Sequence, residues 1–264
     1  MLKNLDIQGI MVQSQNRPLI LLVMSYDAVA QGADMVIPAP EEVLYAEGVY
    51  RFEDSPKITY KISKKMVPEA YCLEVCKNGI IITSSDDAGA FYAQQTLAQM
   101  ITEKDGAREV ECCVVNDCPR FSYRGLHFDV SRHFRSVDFL KKQIDAMAMF
   151  KMNRMHLHLT DAAGWRLQID AYPRLTSFAA WRPQPAWKEW WAGKRLYADE
   201  GEEGSFGGYY TKEQMRELIE LDLSKHGNNM LIDPIFVAWA GCFPNGLLTV
   251  ILIPQIHPFT EAHT

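Results

Sequence analysis

Residues 124–166 read RGLHFDVSRHFRSVDFLKKQIDAMAMFKMNRMHLHLTDAAGWR, and the periodicities of this stretch decide the fold. Gly125 to Val130 alternates, placing Leu126, Phe128 and Val130 on one face, as a strand does. Ser136 is placed to cap a helix whose apolar residues Val137, Leu140, Ile144, Met147 and Phe150 recur at helical spacing. Met152 to Leu159 alternates again, with Met155, Leu157 and Leu159 on one face. Strand, helix and strand at these lengths make a βαβ unit with parallel strands, because a parallel pair needs a long crossover. Further on, residues 160–208 form a long segment rich in Trp, Gly and charge, a length that is usually functional or disordered. Thr211-Lys212-Glu213-Gln214 then has the form of a capping box, predicting a second helix over 212–225 and a third strand from Asn228. The pattern opens either an α/β barrel or a doubly wound sheet.

Upstream, residues 35–118 read as a small α/β unit. Tyr71-Cys72-Leu73-Glu74-Val75 is a strand, Asn78-Gly79 a hairpin turn, and Ile80-Ile81-Ile82-Thr83 the return strand. Ser84-Ser85-Asp86-Asp87 offers helix caps for residues 88–101, and Glu109 to Val115 is one more strand. Asp117-Cys118-Pro119-Arg120 marks a boundary, since Pro119 interrupts both periodicities. The chain has 264 residues and a formal net charge of −6, with 48% hydrophobic residues. That is globular composition, with no basic footprint for nucleic acid and no apolar run long enough to span a bilayer. Arg17, the apolar run 18–24 and Ala28-Val29-Ala30 have the layout of an export signal, so the expectation is a periplasmic or extracellular protein if segment 17–33 functions as one. The plainer reading is a buried strand or helix. The six cysteines, Cys72, Cys76, Cys112, Cys113, Cys118 and Cys242, have no zinc spacing.

In parallel α/β architecture functional groups sit at the C-terminal ends of strands. Two such ends are Asp129-Val130-Ser131-Arg132-His133-Phe134 and His158-Leu159-Thr160-Asp161. Arg132 and Asp161 read either as a polar clamp for a polyol, to which a rigid guanidinium fork is suited, or as an ion pair tying two loops together. His156 and His158 share a strand face, which is one way to hold a metal. No later cluster supplies further ligands, and core histidines are the preferred reading. Trp165, Trp181, Trp187, Trp190 and Trp191 fall within 27 residues; they read equally as sugar-stacking platforms or as rings packing the long loop. Asp86-Asp87 reads as a helix cap, and Asp199-Glu200 as a solvated acidic run with no catalytic role.

Taken together, these residues carry a resemblance. Arg124 to Phe134, Lys151 to Asp161, Gly164-Trp165-Arg166, Tyr172-Pro173-Arg174-Leu175-Thr176, Ala179-Ala180-Trp181-Arg182 and Gly207-Gly208-Tyr209-Tyr210-Thr211 closely resemble the family 20 glycoside hydrolases, the β-N-acetylhexosaminidases. Asp87 to Leu97 extends the likeness upstream, so that it runs from about residue 36 to about 226. The resemblance implies a small α+β N-terminal domain followed by a (β/α)₈ barrel. It implies removal of terminal, non-reducing N-acetylglucosamine or N-acetylgalactosamine from glycans by a substrate-assisted retaining route, without a cofactor or a metal. By position, Arg132 matches the arginine that holds the sugar's hydroxyls, and Asp161 the aspartate that supports the general acid through a histidine.

Departures from the family matter as much. Many members read Asp-Asp-Gln-Gly-Trp where this chain has Asp161-Ala162-Ala163-Gly164-Trp165. Asn228 to Phe236 replaces the segment that carries the relay histidine, and no Gly-Gly-Asp-Glu, the catalytic pair, occurs. From residue 121 there are 144 residues, against the roughly 250 of a whole barrel. The expected organisation is therefore a leader-like segment at 1–34, the N-terminal domain at 35–118, the start of an incomplete barrel at 119–226 and a tail at 227–264 that leaves the family pattern. A truncated form with negligible turnover is the leading expectation. A non-catalytic carbohydrate-binding fragment using the Trp-rich loop and Arg132 is the alternative, with a metal-dependent hydrolase built on His156 and His158 third.

Overall fold

The computed structural model describes residues 7–14, 17–24, 35–53, 55–226 and 231–235. Strands β1 (Ile7–Ser14) and β2 (Arg17–Met24) pair antiparallel, Ser14 opposite Arg17 and Ile7 opposite Met24. The first part of the signal-like stretch is thus β2, and residues 25–33 lie outside the described residues, as does Cys242. The described residues divide into two units. One comprises those up to Arg124 together with Asp145–Asn153 and 223–226; the other comprises Gly125–Ile144, Arg154–Asp222 and 231–235.

The first unit is a six-stranded sheet under one helix. Its strands are β3 (Glu42–Arg51), β4 (Ile58–Ile62), β5 (Tyr71–Cys76), β6 (Gly79–Ser84), β7 (Thr102–Lys104) and β8 (Ala107–Asp117), with helix α1 (Asp87–Met100) between β6 and β7. The order is β3-β8-β5-β6-β4 with β7 added on β8, and only β4 and β6 run parallel. Alternation puts Leu73 and Val75 of β5 and Ile80 and Ile82 of β6 on the face that packs with Phe91, Ala93 and Leu97 of α1. Each such fully buried aliphatic side chain contributes about 1.5–3 kcal/mol. Asp86 starts α1 by accepting from Gly89 N at 2.9 Å. Gly89 is required there, since a Cβ would lie 2.3 Å from the Ala70 carbonyl oxygen.

Three strands, β3, β4 and β7, escaped the sequence reading, and the hairpin turn falls one residue earlier than expected. Cys76 pairs with Gly79, so Lys77 and Asn78 form the loop. With Asn78-Gly79 at its centre, Lys77 would stand opposite Ile80 on the buried face, and register follows burial. The same unit holds a buried polar network. Lys151 donates to Tyr71 Oη at 2.9 Å and to Asp117 at 3.0 Å, while Arg124 donates to Glu69 at 2.9 Å and to Tyr92 Oη at 2.8 Å.

The second unit carries the parallel strands. β9 (Gly125–Asp129), α2 (Val137–Met149) and β10 (Arg154–His158) are followed by the long segment, then α5 (Lys212–His226) and β15 (Leu231–Ile235). The sheet order is β15-β10-β9, all parallel, with His158 opposite Asp129 and Ile235 opposite His158. Neighbours in space are neighbours in sequence, with no reversal of direction. That sequential order is the one in which a barrel opens. The capping box closes as expected: Thr211 N donates to Gln214 Oε1 at 2.9 Å and Gln214 N to Thr211 Oγ1 at 3.2 Å.

The long segment is ordered by short elements: β11 (Thr160–Asp161) with β12 (Gly164–Trp165), helix α3 (Arg174–Ser177), β13 (Trp181–Arg182) with β14 (Phe206–Gly207), and helix α4 (Trp187–Ala192). Met155, Leu157 and Leu159 are fully buried on one face of β10, as the alternation predicts. The matching face of β9 is less regular: Val130 is buried, but Leu126 is 38% exposed.

Candidate functional site at the strand ends

The opposite face of β9 and β10 carries imidazoles. His127 and His156 stand opposite each other with ring centroids 4.5 Å apart, and His158 lies 5.8 Å from His127. One position further along, at the C-terminal ends, the strands bring together Asp129, Arg132, His158 and Asp161. Arg132 turns back on Asp129: its backbone N–H donates to Oδ1 at 3.0 Å and its Nη1 to Oδ2 at 3.1 Å. The same Nη1 lies 2.8 Å from His158 Nε2, and Nη2 is ion-paired with Asp161 Oδ2. His158 Nε2 is in turn 3.2 Å from Asp161 Oδ2. Asp161 Oδ1 accepts from Ala162 N at 2.7 Å, which fixes the carboxylate.

Arg132 and Asp161 therefore do meet, and in this state they form the ion pair that was one of the two readings. The pair sits at a boundary between protein and solvent. The side chains of Arg132 and Asp129 are 35% exposed, while that of Asp161 is only 8% exposed. A guanidinium so placed keeps donors for a ligand, while its carboxylate is screened little by water.

Two buried arginines hold the loop that bears Arg132, and sequence reasoning assigned neither a role. Arg166, fully buried, donates to the carbonyls of Val130 (2.9 Å), Ser131 (2.8 Å), Ala180 (2.6 Å) and Gly208 (2.8 Å). Arg182, also fully buried, donates to the carbonyls of Arg132 (2.8 Å), Pro185 (2.8 Å), Gln184 (2.7 Å) and Ala163 (3.2 Å). Burial pushes the Arg166 guanidinium down to about 10, with the charge of Arg182 acting in the same direction, and burial lowers Arg182 too. Buried cations of this kind persist because carbonyl oxygens replace the lost water. A signal was present in the sequence: each arginine follows a Trp in a short motif, Gly-Trp-Arg or Ala-Trp-Arg.

The tryptophans pack this scaffold. The indole N–H groups of Trp181 and Trp190 donate to the carbonyls of Thr176 (2.9 Å) and Leu196 (2.7 Å), and that of Trp165 to Leu167. Trp191, the most exposed of them, stacks on Trp187 and carries Arg195 4.0 Å from its ring centre. With Trp187 and Arg195 both against this ring and three other indoles hydrogen-bonded to loop carbonyls, the Trp-rich loop acts in packing. His158 likewise differs from an inert core histidine, because it touches both members of the Arg132–Asp161 pair. Among the described residues no group of three or more His, Cys, Asp or Glu is placed to hold a metal, and no helix is long and apolar enough to cross a membrane.

Residues 121–226 match the catalytic domain of glycosyl hydrolase family 20, and residues 58–118 match domain 2 of the same family. The beta-hexosaminidase of Vibrio vulnificus is 38% identical over 163 residues, covering 61% of this chain and 19% of that one. The beta-hexosaminidase of Akkermansia muciniphila is 35% identical over 211 residues, covering 76% of this chain and 38% of that one. The structure of the Streptomyces plicatus beta-hexosaminidase in complex with product (GlcNAc) superposes with a TM-score of 0.61 at 28% identity, covering 78% of this chain and 46% of that one. The chain thus spans less than half the length of these relatives.

Proposed function

The chain belongs to glycosyl hydrolase family 20, and on that premise we propose that it serves the removal of terminal, non-reducing N-acetylglucosamine or N-acetylgalactosamine from glycans. One observation carries the reading. Arg132 and Asp161, distant in sequence, are brought into contact at the C-terminal ends of adjacent parallel strands, where α/β barrels do their chemistry. In this reading Arg132 donates to the sugar's hydroxyls, its planar fork giving directed donors to neighbouring oxygens. Asp161 holds that fork in place, and in the family's substrate-assisted route it supports the group that protonates the leaving oxygen. No Gly-Gly-Asp-Glu occurs in the 264 residues, so the acid and its partner are not supplied by this sequence. Loss of a general acid alone costs about 10²–10⁴ in rate.

The expectation is therefore sugar binding with negligible turnover. Calorimetric titration with N-acetylglucosamine should show binding at millimolar sugar, weakened about tenfold or more in Arg132→Ala, the value of one charge-assisted hydrogen bond. An aryl N-acetylglucosaminide should release no aryl alcohol above background. Absence of heat at millimolar sugar would remove the binding assignment. Turnover at an ordinary glycosidase rate would remove the claim that the acid is lacking.

A further inference from the structure

We propose that His158 is a proton-controlled positioning residue: with Nε2 bare it holds the Arg132 guanidinium in place for the sugar, and with Nε2 protonated it turns to Asp161 and releases it. The inference rests on the reading of Arg132 as the sugar-holding arginine. Its basis is a single ring nitrogen placed between two partners with opposite demands. His158 Nε2 lies 2.8 Å from Arg132 Nη1 and 3.2 Å from Asp161 Oδ2. A guanidinium N–H only donates, so that contact needs a lone pair on Nε2; a carboxylate only accepts, so the other needs a proton there. One nitrogen satisfies one of these at a time. The shorter contact is to Arg132, which suits a bare Nε2 with the proton on Nδ1, the state the proposal gives to the alkaline end.

Protonation reverses the arrangement in two ways that add. An imidazolium would stand 2.8 Å from the guanidinium, cation against cation. It would also donate to Asp161 Oδ2, the oxygen that now pairs with Arg132 Nη2. Arg132 would keep Asp129, whose two carboxylate oxygens it already engages. Among the described residues, the groups facing His158 are Asp129 from the end of β9, opposite it in register, Arg132 from the loop that follows, His127 from within β9, its ring centroid 5.8 Å away, and Asp161 from β11. The two carboxylates favour the imidazolium and Arg132 opposes it. His158 is 7% exposed, so water does little to dilute either effect. Imidazole is the side chain whose charge ordinarily changes between about pH 5 and 8, so acidification in that range is the natural control.

The test combines imidazole ¹⁵N NMR of the full chain with N-acetylglucosamine titrations between about pH 8 and pH 5. At the alkaline end His158 is expected to show a bare Nε2 and a protonated Nδ1. On acidification, sugar affinity should fall by about tenfold, the value of one charge-assisted hydrogen bond, in step with the His158 signal. His158→Gln offers a carbonyl acceptor that does not titrate, and its affinity should stay level over the range. His127→Gln should keep the acid-side loss, which separates the two imidazoles. A protonated Nε2 at the alkaline end overturns the proposal, as does a wild-type affinity profile superposable on that of His158→Gln. If the sugar binds at no pH, the functional reading fails by itself and NMR still decides the coupling. Arg132→Ala should then move the His158 titration to higher pH by removing the opposing charge, and an unchanged titration overturns the proposal.

Discussion

Ala163 holds a backbone φ of 115°, a region that side chains other than glycine rarely enter. It stays there because its neighbours over-determine it: its carbonyl accepts from Arg182 at 3.2 Å and its N–H donates to Tyr197 Oη at 3.3 Å. Strain of this kind costs about 1–3 kcal/mol, against roughly 0.5–1 kcal/mol for the added freedom of glycine in the unfolded chain. Ala163→Gly is therefore expected to stabilise the protein by about 1 kcal/mol, read as a higher urea midpoint at unchanged slope; a lower midpoint would show that the turn is unstrained. At this scale the sequence was only partly legible. Arg132 and Asp161 stood out because each follows a strand, but the roles of His158, Arg166 and Arg182 depend on carbonyls and charges from distant residues.

Among the elements, α1 shows how much a single residue does. Asp86 accepts from Gly89 N through Oδ1 and from Glu69 N through Oδ2, both at 2.9 Å. It thus caps the helix and fixes the approaching loop with the same carboxylate. Asp86→Ala should lower stability by about 2 kcal/mol, at the upper end of cap losses because a second N–H is orphaned as well. Asp86→Asn retains one acceptor oxygen and should lose less. Chemical denaturation of both variants checks this, and equal losses would show that the second hydrogen bond contributes nothing. Caps were legible because they are local: Asp86, Ser136 and the Thr211–Gln214 box all lie within four residues of the groups they satisfy. The β5–β6 turn was misplaced by one residue because Asn-Gly is a local preference, whereas the register answers to which side chains the sheet buries.

For the molecule as a whole, buried phenols and thiols set a limit at alkaline pH. Burial raises Tyr60, Tyr71 and Tyr210, pushes Tyr92 up to about 12 and pushes the Cys113 thiol up to about 11. Each titrates higher when folded than when unfolded, so the unfolded chain gives up its protons first. Their stabilisation is complete below the unfolded values, about 8.5 for a thiol and 10 for a phenol, and is lost as pH rises past them. Lys151, Arg166 and Arg182, all lowered by burial, act in the opposite sense, three groups against five. Stability should fall steeply from about pH 10 upward, measured as denaturant midpoints across that range; a flat profile would mean that these groups are solvated.

By itself, the sequence determined the βαβ opening, the capped helices and membership of a hydrolase family, because hydrophobic period, caps and motifs are properties of neighbouring residues. Only the tertiary structure decided that Arg132 is held from three sides, that the tryptophans pack the long segment, and that one histidine nitrogen lies between a guanidinium and a carboxylate. Those are distances between groups far apart along the chain, and they exist only once the parallel strands have brought their ends together.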